Sequence, residues 1–237
     1  MMKKIGIIAA ALTVALTTVP VQAKITADEA AKLGAELTPL GGEKAGNADG
    51  SIPAWTGGIT STPPGYSAGD FHPDPYAGET PEFVITAANY QQYADQLSEG
   101  LKKMFQTYPD TFKLPVYKTH RSASNPQFVY DATKENATRA TLLDDGNGMA
   151  GAAVGIPFPI PANGLEAIWN HIARYRGPAV QRNGGQAAVT AGGDYNVIGF
   201  DEQLLIQYSQ ENATPESLLE NNVLFMFKQK VTEPARL

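Results

Sequence analysis

Apolar positions recur at helical spacing in three stretches of the chain. In ITAANYQQYADQLSEGLKKMFQTYP, residues 85–109, Tyr90, Tyr93, Leu97, Leu101, Met104 and Phe105 fall on one face, with Gln91, Gln92, Asp95, Lys102 and Lys103 off it. That spacing predicts one amphipathic helix over 86–106, capped by Thr86 and ended by Pro109. In KITADEAAKLGAELT, residues 24–38, Thr26 and Glu29 stand at the spacing of a capping box, and Ala30, Leu33 and Leu37 follow on one side. The third stretch lies in VGIPFPIPANGLEAIWNHIARYRG, residues 154–177. There Asn163 is an N-cap three positions before Glu166, Leu165, Ile168, Trp169, Ile172 and Tyr175 make an apolar stripe, and Gly177-Pro178 stops a helix over 164–176.

Elsewhere the period shortens. QRNGGQAAVTAGGDYNVIGFDEQLLIQYSQ, 181–210, reads as strand, Gly-Gly-Asp turn, strand, which predicts an antiparallel hairpin. Thr214 and Pro215 open a short helix as N-cap and first helical residue. In NNVLFMFKQKVT the run Val223 to Phe227 is almost continuously apolar, so this strand is expected to be covered on both faces. TFKLPVYKTHRSASNP is extended and edge-like because Pro115 and Pro126 interrupt it. QFVYDATKENATRATLLDDGNG alternates weakly and finishes in a turn at Asp145-Gly146-Asn147-Gly148. From Pro39 to Glu82 Gly, Pro, Ser, Thr and Asp dominate, yet Trp55, Tyr66, Phe71, Tyr76 and Phe83 punctuate the region, which predicts an extended strap held to a domain surface. The expected architecture is α+β, an antiparallel sheet with two to three helices and that N-terminal strap. Its divisions are 1–23, 24–84 (short helix and strap) and 85–237 (the α+β domain).

Residues 1–23, MMKKIGIIAAALTVALTTVPVQA, place two lysines before an apolar run and end in small or neutral residues. This is the pattern of a secretory signal peptide cleaved after Ala23, so the mature chain is expected outside the cytoplasm. No later stretch is long and apolar enough to span a membrane. The formal charge of −6 argues against nucleic acid as a partner, and the absence of cysteine excludes disulfides, thiol chemistry and a lipidated cysteine anchor.

Familiar chemistry is sparse. His72, His120 and His171 are far apart and none has a second ligand at metal spacing. Neither a Gly-x-Ser-x-Gly elbow nor a phosphate-cradling glycine loop occurs, and Asp144-Asp145-Gly146-Asn147-Gly148 is out of register for a calcium loop. No catalytic residue, metal or cofactor is therefore assigned. The proline-spaced approach Ile156-Pro157-Phe158-Pro159-Ile160-Pro161 is the candidate site. Its prolines hold an extended path, so Ile156, Phe158 and Ile160 form either an apolar rim beside a cavity or ordinary core. Trp169, His171 and Arg174 on the following helix complete the candidate ligand-binding set. Two other readings stand beside an apolar-ligand carrier. One is a hydrolase acting on a hydrophobic substrate through His171 with Glu166 or Arg174; the other is a structural envelope component docking through the aromatic strap at 55–83.

The runs LTPLGGEKAGNADGSIPAWTGG (37–58), YPDTFKLPVYKTHRSASNPQFVYDATKENAT (108–138), GIPFPIPANGLEAIWNHIARYRG (155–177) and ATPESLLENNVLFMFKQKVTEPARL (213–237) resemble an exported bacterial family. It is catalogued as domain of unknown function 1329 and described as outer-membrane lipoprotein-sorting-like. The resemblance implies a lipoprotein-carrier-like fold, in which an antiparallel sheet curls into a partial half-barrel around helices and leaves a cavity for an acyl chain. It also implies a periplasmic location, an apolar small molecule or acyl chain as ligand, and partners among outer-membrane or envelope transport proteins. Members of this family run on past a segment like Glu233-Pro234-Ala235-Arg236-Leu237 into more strands. This chain is thus expected to cover the N-terminal half, and the shortened sheet would leave Val223 to Phe227 exposed along an edge.

Overall fold

A computed structural model describes residues 25–67, 69–220 and 225–233. The expected leader at 1–23, Val223 and Leu224, which the sequence expectation put in the last strand, and the terminal Pro234-Ala235-Arg236-Leu237 lie outside the described residues. The architecture is α+β with antiparallel sheets. Its helices are α1 (Ala27–Ala31), α2 (Glu99–Thr107), α3 (Gln127–Arg139), α4 (Gly164–Ala173) and α5 (Pro215–Glu220). Its strands are β1 (Phe83–Ile85), β2 (Leu114–Val116), β3 (Thr141–Leu143), β4 (Gly148–Ala150), β5 (Ala179–Val189), β6 (Tyr195–Ile206) and β7 (Phe225–Glu233). β1 pairs with β2 and β3 with β4, while the long strands form a sheet in the order β5-β6-β7.

Local capping explains where the helices begin. At α1 the Thr26 backbone N–H donates to Glu29 Oε2 at 2.8 Å and the Glu29 N–H donates back to Thr26 Oγ1 at 3.2 Å, a complete capping box. The Thr26 N–H and the Thr26 hydroxyl both donate to the Glu29 carboxylate and hold it below its ordinary pKa. The helix is shorter than its spacing suggests, because the chain turns after Lys32 and Leu33 makes a bridge with Leu37. The single helix expected over 86–106 is two pieces. A 3-10 helix spans Tyr90–Gln96, the backbone opens to φ −105°, ψ 135° at Leu97, and α2 restarts at Glu99. Ser98 causes the restart: its Oγ accepts the Leu101 N–H at 3.3 Å, as an N-cap does.

The largest departure from the expected pattern is α3, where the sequence suggests weak alternation. Its inward residues are Val129, Thr133, Asn136 and Ala137, all buried. Their spacing is helical, but two are polar and one is alanine, so no apolar stripe marks them. On α4 three of the five expected stripe residues face outward, while Trp169 and Tyr175 pack against the interior. Leu165, Ile168 and Ile172 are exposed, Ile168 to 59%, and Ala173 is the buried residue of the helix. The side that meets the protein carries Trp169, Asn170 and Ala173, which include the polar contacts that hold it.

Among the described residues the interior is divided into four small apolar clusters. One joins Ala140, Ala152, Phe158, Ala173 and Tyr208 with Trp169, Ile206 and Leu218 at its margin. A second, Val129, Ala153 and Val154, lies beside it. The others tie α1 to Ala137 of α3, and α2 to Ile85 and Leu97.

The region 39–82 has almost no regular secondary structure and lies along residues 116–125. Arg121 extends its guanidinium into it, donating to the carbonyls of Glu43 at 2.6 Å, Lys44 at 3.2 Å, Ala45 at 3.3 Å and Pro53 at 3.4 Å. Trp55 Nε1 donates to Ala123 O at 2.9 Å, and Tyr76 stacks on His120 with ring centroids 3.8 Å apart. Gly41 shows how close the strap comes to the loop before α4. Its φ is +87°, and a Cβ built there would stand 1.7 Å from Pro159 O, so no side chain is accommodated. Among the strap aromatics Phe71 is the most exposed, at 90%.

In the large sheet β5 and β6 are in register from Ala179↔Leu205 to Val189↔Tyr195. β6 continues against β7 from Ile206↔Phe225 to Gly199↔Glu233, with an irregularity at Gly199/Phe200. Directly paired residues share a face. One face therefore carries Val180, Leu204 and Phe227, then Arg182, Glu202 and Gln229, then Gly184, Phe200 and Val231. The bare Gly184 lets the Phe200 ring lie across β5, where an added Cβ would meet that ring at 3.0 Å. The opposite face carries Met226, Lys228 and Lys230 on β7.

Candidate functional site

Two side-chain amides fix the loop that precedes α4. Asn136 is fully buried; its Nδ2 lies 2.9 Å from Ala153 O, 3.2 Å from Gly155 O and 3.3 Å from Ile156 O. Its Oδ1 accepts from the Ala153 N–H and from Arg139 Nη2, each at 3.2 Å. On the other side Asn170 clamps one residue, accepting the Phe158 N–H at 2.8 Å and donating to Phe158 O at 2.6 Å. Tyr208 adds a third bond, its hydroxyl donating to Gly155 O at 2.6 Å. Burial pushes that phenol well above its ordinary pKa. The loop so held contains Val154 at φ 65°, a left-handed conformation that β-branched residues avoid. Its N–H donates to Tyr208 O at 2.8 Å.

These contacts settle where the candidate ligand residues lie. Phe158 is 8% exposed and is part of the main cluster, so it is core at this position rather than an open rim. Ile156 and Ile160 are half-buried, Ile160 against the cluster of Ala30, Leu33 and Ala137. Trp169 is half-buried, with Nε1 donating to Gly146 O at 2.9 Å. His171 and Arg174 are exposed, and Arg174 Nη1 turns back to the His171 carbonyl. Glu166 does not meet His171; its Oε2 accepts the Ala162 N–H at 2.6 Å and its own N–H is capped by Asn163. Among the described residues no group of three or more His, Asp or Glu side chains comes together as a metal site.

A second constellation joins strap to domain. His120 Nε2 lies 2.8 Å from Glu79 Oε1, Tyr76 covers the imidazole, and Tyr76 OH meets Ser122 Oγ at 2.6 Å. The partners are 41 and 46 residues apart, beyond any spacing rule. These groups bond to one another across strap and domain, which makes the cluster a fastening.

The open surface is the β5-β6-β7 sheet. Here the expectation of a doubly covered last strand is overturned: Phe225 and Met226 are each 61% exposed and Phe227 50%. This agrees instead with the edge exposure that the family resemblance implies. Residues Ala179–Gln181, Gln203–Leu205 and Met226–Lys228 line an open pocket of about 510 Å³. The rung beside it is polar and partly buried: Gln229 Nε2 donates to Glu202 Oε1 at 2.7 Å and Arg182 pairs with Glu202 Oε2. Sequence reasoning gave Asn136 and Asn170 no structural role, since neither residue type nor spacing signals a loop clamp. Of the two readings left open for the loop, rim or core, Phe158 takes the core one, and exposed apolar surface lies on the sheet and on α4.

An α+β chain with an open antiparallel sheet and a loop clamped between two helices is the class these features define. It belongs to the family described as "Protein of unknown function (DUF1329)", whose model matches residues 84–237. It is 50% identical over 226 residues to the uncharacterized protein PA3922 of Pseudomonas aeruginosa, a match that covers 95% of this chain and 49% of the relative. The chain thus spans about half the length of that curated relative. No solved structure matches it.

Proposed function

We propose that the chain is an exported, periplasmic protein that binds an apolar, lipid-like ligand against the β5-β6-β7 sheet, in the service of envelope or outer-membrane transport. The pocket of about 510 Å³ between Ala179, Leu205 and Phe227 carries this reading, because it is of ligand size and exposed aromatic and aliphatic side chains flank it. Each methylene withdrawn from water there is worth about 0.8 kcal/mol. The leader-like residues 1–23 support export.

In this reading the sheet is one wall of a partial half-barrel of the lipoprotein-carrier kind. The irregularity at Gly199/Phe200 and the neighbouring Gly184 and Gly185 are the devices by which strands coil. Phe158 and Trp169 share a cluster with Ile206, so the clamped loop and α4 close one end of that wall. His171 and Arg174, exposed on the outer side of α4, are the polar groups this reading would put beside a bound headgroup.

Organic extraction of the purified native protein, followed by mass spectrometry, is expected to yield a lipid or other amphiphile. A fluorescent fatty acid is expected to bind saturably, and Phe227→Asp to weaken it about tenfold or more by placing a charge in the apolar wall. No extracted lipid together with no saturable probe binding refutes the reading. Export has its own check: residues 1–23 fused to a reporter active only outside the cytoplasm should give activity, and a silent fusion removes the periplasm from the proposal.

A further inference from the structure

We propose that the ligand of the sheet pocket is an amphiphile with one anionic head, which Lys228 holds together with the side-chain amides of Gln181 and Gln203 while the tail lies on Ala179, Leu205 and Met226. This inference rests on the reading of the pocket as an apolar-ligand site and deepens it by giving the chemistry of the ligand's other end.

Strand register divides the pocket into two ends. Leu205 pairs with both Ala179 and Met226, and Gln203 with both Gln181 and Lys228, so two rows of three residues stand on one face of the sheet. All six residues line the pocket. The first row is apolar, and Met226 in it is 61% exposed. The second row, roughly 7 Å further along the strands, is polar. A hydrocarbon lying over both rows would strip water from the second and give it no partner in return. A molecule that changes from apolar to polar along its length suits both.

The neighbouring charges decide the sign of the head. Arg182, Lys228 and Lys230 are the cations of the three strands. Arg182 is paired with Glu202, and Lys230 has Asp201 directly opposite in register. Lys228 has the neutral Gln203 opposite, is exposed, and forms no ion pair among the described residues. Asp201 lies diagonally from it, one row on, and accepts from Asn183. Gln229 is likewise engaged, by Glu202, whereas the exposed amides of Gln181 and Gln203 form no hydrogen bond among the described residues. An oxyanion set in this row meets an ammonium and two amide donors that the chain itself leaves unused. The exposed His171 and Arg174 of α4 are the other polar groups near the site, but neither lines the pocket, and Arg174 Nη1 is turned to the His171 carbonyl. The chain as a whole carries a formal charge of −6 and repels anions, so any preference for an anion has a local source.

The test puts different heads on the same fluorescent alkyl chain, a carboxylate, a phosphate monoester, an alcohol and a quaternary ammonium, and titrates each into the whole chain at low salt. At least one anionic probe is expected to bind about threefold or more tighter than the alcohol, with the ammonium weakest and the advantage shrinking as salt rises. The tighter of the two anions tells a fatty-acid head from a phospholipid-like one. Lys228→Gln is expected to bring the ratio of anion to alcohol affinity close to one, and Lys228→Glu to invert it. Lys230→Gln and Arg174→Gln are expected to keep the preference. Saturable binding of the alcohol with neither anion bound more tightly overturns the proposal and leaves the apolar-ligand reading standing. A preference that survives Lys228→Gln, or is lost with Arg174→Gln instead, overturns it too. No saturable binding by any of the probes refutes the apolar-ligand reading itself, and this inference with it.

Discussion

Replacing Asn136 with leucine tests whether the α3 amide holds the loop before α4. Leucine has a similar volume, so the substitution removes hydrogen bonds with little change in packing. Two backbone groups are then left without a partner, the Ala153 N–H, 3.2 Å from Oδ1, and the Ile156 carbonyl, 3.3 Å from Nδ2, while the Ala153 carbonyl keeps the Gly155 N–H at 2.7 Å. Gly155 O still receives the Tyr208 hydroxyl. A buried unsatisfied polar group costs about 1–3 kcal/mol, so two cost about 3 kcal/mol. For a chain of this size that lowers Tm by roughly 6–12 °C. Urea unfolding followed by far-ultraviolet circular dichroism, with the slope m compared to confirm the same unfolded state, reads the change directly. Thr133→Val is the control. Thr133 is equally buried, but its hydroxyl only doubles a bond to Val129 O that the helix already makes, and it should cost about 1 kcal/mol or less. If Asn136→Leu falls within about 0.5 kcal/mol of the unsubstituted chain at constant m, the amide does not hold the loop and the argument fails.

Two further outcomes follow from the same region. Tyr208 is buried and its pKa is raised in the folded state, so its contribution to stability is present below the ordinary tyrosine pKa and is lost as pH rises above about 10. Denaturation series across that alkaline range should show a fall that Tyr208→Phe reduces; an equal fall in both proteins contradicts the assignment. Gly41→Ala places a methyl against Pro159 O and a side chain at φ +87°, so it should destabilise by about 2 kcal/mol and open 39–82 to limited proteolysis, whereas unchanged cleavage would show that the strap does not rest there.

Legibility in the sequence followed the range of the interactions. The caps at Thr26, Asn163 and Thr214 could be read because their partners are three residues away. The hairpin of β5 and β6 could be read because Gly192-Gly193-Asp194 separates two runs of strand-forming residues. Helix α3 could not, since its buried face is made of Val129, Thr133, Asn136 and Ala137, and only the fold shows that the polar pair is satisfied internally. The stripe on α4 was visible but its direction was not, because periodicity gives a face and says nothing of which neighbour that face meets. For the same reason the apolar run at Phe225–Phe227 by itself suggested a covered strand, and its exposure was expected only from the family resemblance. The clamped loop was located by its prolines, yet the amides that hold it came from Asn136 and Asn170, residues with no pattern of their own.

The grip of Arg121 on the strap has a consequence for the order in which the molecule assembles. Its acceptors at Glu43, Lys44, Ala45 and Pro53 lie 68 to 78 residues earlier in the chain. Closing a loop of that length costs entropy before any contact repays it, so these bonds form late in folding. During synthesis the strap leaves the ribosome first and waits for an anchor not yet made. Its richness in glycine and proline suits that interval. A segment poor in continuous strand-forming residues offers little for other nascent chains to pair with while it is still unattached.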